Sequence, residues 1–189
     1  VAEHPRAHIA VVAFVWPDDS LTTQAADWLA AHFPRENVLR VLAKGPIDVV
    51  RSNAALNLCL KLPDRFTEFL WMDRDMRPDV QGATEPFLAA EGDVVACEYP
   101  VHNVRAWAGP DALHMGLVRV KRKVFETLAA EHDDRGQPIP LFAFPRTPDN
   151  ARVLGCECAW FAGRVLKAGF KIVRAGWCRH DKQVMEHHG

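Results

Sequence analysis

The sequence predicts an α/β domain built in three layers, α/β/α, around a mainly parallel central sheet. Three observations lead there. The apolar runs at 9–16 and 69–72 are short and continuous, as in strands buried on both faces. The segments between the strands carry apolar residues at helical spacing, and proline, glycine or aspartate punctuates nearly every boundary. The resulting order opens strand, helix, strand, helix, strand, helix, strand, and each parallel crossover needs a helix to cover a sheet face.

Taken in order, residues 1–8 read as a lead-in. Ile9-Ala-Val-Val-Ala-Phe-Val-Trp is the first strand, closed by Pro17, Asp18 and Asp19. Ser20 caps a helix that aligns Leu21, Ala25, Trp28, Leu29 and His32 and stops at Pro34. Residues 38–43 form a second strand, punctuated by Gly45-Pro46. Asp48 caps the next helix, which places Arg51 in its first turn, runs into Ala54, Leu58 and Cys59, and ends at Pro63. Phe69, Leu70, Trp71 and Met72 make the third strand, and Pro78 forbids further ladder pairing. Thr84 caps a short helix with Pro86 in its first turn, and Asp93-Val-Val-Ala-Cys-Glu-Tyr is the fourth strand.

The second half alternates less regularly. Residues 100–115 form a polar loop, longer than ordinary connections, with His102, Asn103, Arg105, Trp107 and His114. Trp107 reads as a substrate contact and Trp16 as a packing residue. Residues 117–122 alternate like an edge or half-exposed strand, followed by a helix carrying Val124, Phe125 and Leu128. A proline-rich loop spans 133–150, with an apolar patch at Leu141-Phe-Ala-Phe. Gly155-Cys-Glu-Cys opens a helix that stops at Gly169, and Phe170-Lys-Ile-Val-Arg is the last strand, with His180 just beyond its end.

A length of 189 residues suits one domain, residues 1–189, that buries roughly 70% of its unfolded surface. The net charge of -1 supplies no global basic field for nonspecific nucleic-acid binding. Five cysteines in no paired frame fit a reducing compartment, so the expected location is the cytoplasm. The first apolar run is too short to span a membrane and lacks a signal-peptide cleavage pattern.

The stretch with most chemistry is Asp73-Arg74-Asp75, where the third strand leaves the sheet, the edge at which open α/β sheets bind ligands. Two carboxylates at i and i+2 point the same way on an extended chain and can hold a hard cation against phosphate oxygens. Loop acids bonded to nearby amides, or paired with Arg74 and Arg77, are the alternative. Arg51 is unfavourably placed at a helix start unless an anion lies beside it; otherwise its guanidinium reaches into solvent.

These features, in this order, resemble the small GT-A fold nucleotide-sugar-dependent glycosyltransferases, of family-2-like type. The resemblance runs from about Ile9 to Asp181. It rests on the first strand ending near Trp16-Pro17, Val50-Arg-Ser-Asn, Leu70-Trp-Met-Asp-Arg-Asp-Met, Gly155-Cys-Glu, Gly169-Phe-Lys-Ile and His180. It implies a Rossmann-like central sheet and a DxD motif at Asp73-Arg74-Asp75. Asp73, Asp75 and His180 would bind Mn2+ or Mg2+, and Trp16, Pro17, Arg51, Asp73 and Arg74 would contact the nucleotide-diphosphate sugar. Glu157 would be the general base of an inverting transfer to a hydroxyl of a glycan, lipid, protein, small molecule or modified nucleic-acid base. The sequence departs from the family pattern in offering one acid, Glu157, where members often carry two. It also has no acid after the second strand and little chain beyond His180.

Two other classes share parts of the pattern. Phosphatases of the haloacid dehalogenase type carry Asp-x-Asp, but on the first strand and followed by threonine or valine, whereas here Met76 and Arg77 follow. Cys156, Cys158, Cys178 and His180 are zinc-ligand types and suggest a zinc-binding module, and a nucleotide-sugar fold that binds nucleotide without catalysis is a further non-catalytic alternative. On a helix, however, residues two apart diverge, so Cys156 and Cys158 read as core cysteines.

Overall fold

β1 (Ile9–Val15) is buried at every position, and the fold grows outward from it. β2 (Val38–Leu42) and β3 (Glu68–Asp73) pair with it in parallel, one on each side. This is a computed structural model, and it describes residues 4–15, 21–78, 82–99, 113–147, 152–153 and 155–180. The remaining strands are β4 (Met76–Pro78), β5 (Val94–Glu98), β6 (Leu117–Lys121) and β7 (Ile172–His180), and the sheet order is β2-β1-β3-β6-β5-β7-β4.

The sheet is mixed. β5 and β7 are parallel, while β6 runs antiparallel to both β3 and β5, and β4 runs antiparallel to β7. The expectation of an edge or half-exposed strand at 117–122 is therefore corrected: β6 is central, and only its last residue is not fully buried. Its alternation comes from Arg119, which the interior accepts because its charge is matched. Arg119 lies 2.9 Å from Glu68 and donates to the carbonyls of Leu88 (2.5 Å) and Ala90 (2.7 Å). A buried cation that is paired and hydrogen-bonded escapes most of the desolvation penalty.

Helices cover both faces. α1 (Thr23–His32) and α3 (Glu85–Ala89) pack on one side with Trp28, Phe87, Met72 and Met76. α2 (Ile47–Asn53), α4 (Arg122–Ala129) and α5 (Glu157–Lys167) pack on the other around Trp71, Phe125, Phe142 and Phe161. The second long loop is held rather than loose, since Leu141 and Phe142 enter this core and Phe142 stacks on Phe161 at 4.5 Å. Ser52 exchanges hydrogen bonds with the Phe142 backbone.

Three expected caps resolve differently. Thr22 caps α1 by accepting from the Ala25 amide at 3.3 Å; Ser20 lies outside the described residues. Asp48 sits within the first turn of α2, whose cap position is Pro46. Thr84 precedes α3, but its hydroxyl accepts from the Trp28 indole at 2.9 Å instead of capping. Beyond Asn53 the backbone widens into a π-helical stretch, Ala54–Leu58, and then a 3-10 turn, Cys59–Lys61. Such stretches are rare and often accompany functional sites. Among the described residues, no helix is long and apolar enough to cross a membrane.

Candidate functional site

The end of β3 is where separate parts of the chain meet. β3 closes at Asp73, residues 74–75 form a turn, and β4 leaves in a new direction to pair with β7, with Met76 opposite His180. This ladder sets Asp75 against His180, Oδ2 to Nε2 at 3.0 Å. Because of the turn, the two acids do not point the same way, as an extended chain would have required. Asp73 faces α2 instead, where both its oxygens accept from Arg51 Nη2, at 2.9 and 2.7 Å.

Arg51 is the hub of this side. Its Nη1 donates to Oε1 of Glu157, the first residue of α5. The expectation of Arg51 in a first turn, beside an anion or reaching into solvent, is corrected: it lies a full turn into α2 and is only 3% exposed. The physical reason is charge matching, since two carboxylates on β3 and α5 compensate one guanidinium. Burial works against its charge, and those carboxylates, with the Cys158 thiol, more than offset that and raise its pKa further.

Tyr99 and His114 complete the surroundings, and the sequence reading assigned Tyr99 no role beyond its strand. Its ring lies 5.1 Å from that of His180 and 6.0 Å from that of His114, and its hydroxyl accepts from the Gly116 amide at 2.9 Å. Gly116 gives these side chains room, because a Cβ there would fall 2.5 Å from the Tyr99 hydroxyl and 2.6 Å from the Met76 sulfur, so one or both would have to shift. The sequence signal was slight: the single tyrosine of the chain stands at the end of an apolar strand.

No protein-family model matches the chain, and no curated protein matches it in sequence. Solved structures do resemble it. A197 from STIV superposes with a TM-score of 0.60 at 14% identity, over 92% of this chain and 86% of that one. A mutant of Drosophila β1,4-galactosyltransferase 7, in complex with manganese, UDP-Gal and xylobiose, gives 0.54 at 13% identity, over 94% and 72%. The catalytic domain of the same galactosyltransferase with xylobiose gives 0.50 at 12% identity, over 88% and 64%. This chain has a GT-A-type fold. Within the GT-A fold of this protein, Asp73, Asp75, Arg51, Glu157 and His180 gather at one end of β3, although they are scattered from α2 to β7 in sequence.

The electrostatics of this cluster follow from burial and pairing. Burial pushes the Asp73 carboxyl up, against the pull of Arg51. Burial also acts to raise Asp75, but the hydrogen bond and charge of His180 outweigh it and hold Asp75 below the usual carboxylate range. Burial lowers His114 and so favours its neutral imidazole, against the nearby Glu157 carboxylate, which acts to raise it. Arg74 is half-buried in the turn, and its carbonyl accepts from Arg77 Nη1 at 3.3 Å. Trp16, Pro17, His102, Asn103, Arg105 and Trp107 lie outside the described residues. A groove of about 450 Å³, lined by Ile139, Pro145 and Trp160, stands apart from the cluster, since none of its acids or His180 lines it.

The divergence expected of Cys156 and Cys158 is also corrected. Cys156 is the N-cap of α5, with extended dihedrals (φ −79°, ψ 163°), so its side chain is not on the helical spiral. Its sulfur, that of Cys158 and a Glu157 oxygen all lie within 4.8 Å of one another. Cys178 belongs to the opposite core, beside Cys97, and does not join them.

Proposed function

We propose that the protein is a metal-dependent glycosyltransferase moving a sugar from a nucleotide-diphosphate donor to an acceptor hydroxyl, with inversion and with Glu157 as general base. The observation that carries this reading is the approach of Asp75 to His180 at 3.0 Å, beside the Asp73–Arg51–Glu157 network on a GT-A fold. A manganese ion and UDP-Gal in the Drosophila galactosyltransferase structure support the choice of cofactor and donor class.

The donor set fits the metal. Asp75 and His180, a carboxylate and an imidazole, would hold Mn2+ or Mg2+, and both are partly accessible, at 33% and 12% side-chain exposure. Asp73, with both oxygens on Arg51, is assigned with Arg51 and Arg74 to the donor nucleotide. When bound, the cation supplies positive charge against the leaving diphosphate.

The chain's own residues do the rest. Arg51 orients Asp73 and Glu157 together. Among the described residues, the hydrogen bonds to the Glu157 carboxylate, from Arg51 and from the Cys158 thiol, fall on Oε1, and Oε2 is the oxygen proposed to take the acceptor proton. Glu157 is buried at the start of α5, where the helix dipole favours its negative charge. The acceptor then attacks the anomeric carbon from the face opposite the diphosphate.

The phosphatase reading loses support on geometry. An aspartate nucleophile must present an oxygen to phosphorus, and both Asp73 oxygens are engaged by one guanidinium. The test is a thermal-shift screen of nucleotide diphosphates and their sugars with and without manganese, followed by a transfer assay. A donor at a hundredfold its Kd stabilises by about 2.7 kcal/mol, or roughly 5–10 °C in Tm at this size. Failure of every nucleotide diphosphate to shift the melting point, with or without metal, would sink the proposal.

A further inference from the structure

The transferase reading uses Glu157 as a base but gives no chemistry to the two cysteines that flank it at the start of α5, and their geometry is unusual. Cys156 is exposed and its sulfur accepts from the Ala159 amide at 3.4 Å. Cys158 is 7% exposed, with its sulfur 3.3 Å from Glu157 Oε1 and 3.8 Å from Arg51 Nη1. The residue between them, Glu157, is helical, and a helical central residue sets the flanking Cα atoms about 5.4 Å apart. A disulfide spans Cα separations of roughly 4.4–6.8 Å, so a bond between these two cysteines requires rotation of side chains and not a new fold.

We propose that Cys156 and Cys158 form a dithiol modification site, oxidised by hydrogen peroxide to an intramolecular disulfide. The Cys156 thiolate attacks the peroxide, the O–O bond breaks, and hydroxide leaves and is protonated to water, giving the Cys156 sulfenic acid. The Cys158 sulfur then attacks the Cys156 sulfur. The S–O bond breaks, a second water carries away the Cys158 proton, and the peroxide has been reduced by two electrons.

The two thiols are unequal in the way such a sequence needs. The Cys158 S–H lies between two acceptors, Glu157 Oε1 and the Cys156 sulfur; turned to Cys156 and joined by the Ala159 amide, it brings Cys156 down to about 6 against the opposing effect of burial. The same hydrogen bond and burial push Cys158 up, keeping it a protonated resolving partner. Cys59, Cys97 and Cys178 are at most 1% exposed and take no part. Closing the bond draws the Cys158 sulfur off Glu157 Oε1, so the oxidised form has lost one of the two groups that hold the carboxylate. The consequence for turnover rests on the general-base reading of Glu157; the thiol chemistry does not.

The experiment treats the full chain with hydrogen peroxide, blocks remaining thiols with iodoacetamide, and maps peptides by mass spectrometry. The expected result is loss of both alkylation sites together, a peptide lighter by two hydrogens, and recovery of both with dithiothreitol. Cys156→Ser, which keeps a good N-cap, should abolish the change, and Cys158→Ser should stop at a sulfenic acid trapped by dimedone. Oxidation of Cys156 to sulfinic acid with Cys158 still alkylated overturns the proposal, as does a disulfide joining two chains. In an active preparation, turnover should fall about tenfold or more on oxidation and return on reduction. A disulfide that forms in a protein binding no nucleotide diphosphate would instead leave this site standing and remove the transferase reading.

Discussion

Replacing Arg51 by methionine keeps much of the side chain's apolar length and removes only the charge and its donors. Three short contacts go with it: two to Asp73, at 2.9 and 2.7 Å, and one to Glu157. What remains is a pair of carboxylates on β3 and α5 with no cation between them. Leaving a buried charge uncompensated costs roughly 3–5 kcal/mol, and at this size each kcal/mol moves Tm by about 2–4 °C. The expected loss is therefore about 6–20 °C at pH 8.

The same substitution should change the pH dependence in a defined direction. Burial already pushes Asp73 up, and without Arg51 to oppose it the carboxyl rises further. A carboxyl whose folded pKa exceeds its unfolded value holds its proton better when folded, so it costs stability at high pH. That cost is relieved as pH falls through the raised pKa towards about 3.9. The deficit of the variant should be largest near pH 8 and visibly smaller near pH 5, by scanning calorimetry or circular dichroism. Adding Asp73→Asn and Glu157→Gln should recover most of it at pH 8. A deficit below about 1 kcal/mol, or one equal at both pH values, would refute the account of Arg51 as the charge that holds β3, α2 and α5 together.

Three further outcomes are expected. Asp75→Ala removes half of the Asp75–His180 pair and should abolish both manganese-dependent turnover and the manganese-dependent part of a donor's thermal shift; a normal metal response would exclude this aspartate as a ligand. Glu157→Gln should lower transfer by about 10²–10⁴-fold while donor affinity, read by calorimetric titration, stays within a few fold. Gly116→Ala forces a methyl against the Tyr99 hydroxyl and the Met76 sulfur. It should cost about 1–3 kcal/mol, and a melting point within a degree of the parent would show that this close approach relaxes freely.

Much of the fold could be read from the chain because its main strands are apolar on both faces. β1 and β3 have no polar side to confuse the pattern, and Pro34, Pro63 and Gly169 mark helix ends by removing a donor or supplying a positive φ of 80°. β6 was read as an edge or half-exposed strand for a physical reason: Arg119 looks solvated in sequence, and only its pairing with Glu68 and two carbonyls makes it an interior residue. The caps went astray similarly, since nothing local says that Thr84 will serve the Trp28 indole, fifty-six positions away, rather than its own helix.

For the candidate site, local pattern was enough to show which chemical groups exist and that acids stand at the end of β3 and at the first residue of α5; it put His180 beyond a strand ending near residue 174, whereas β7 continues through His180. Such features depend on local spacing and backbone propensity. Which groups face one another was decided by tertiary structure alone. The turn after Asp73 separates two acids that are neighbours in sequence, and the β4–β7 ladder joins Asp75 to His180 across the chain. Arg51 settles between Asp73 and Glu157 because a buried guanidinium must find carboxylates, and those were supplied by other elements once the sheet had assembled.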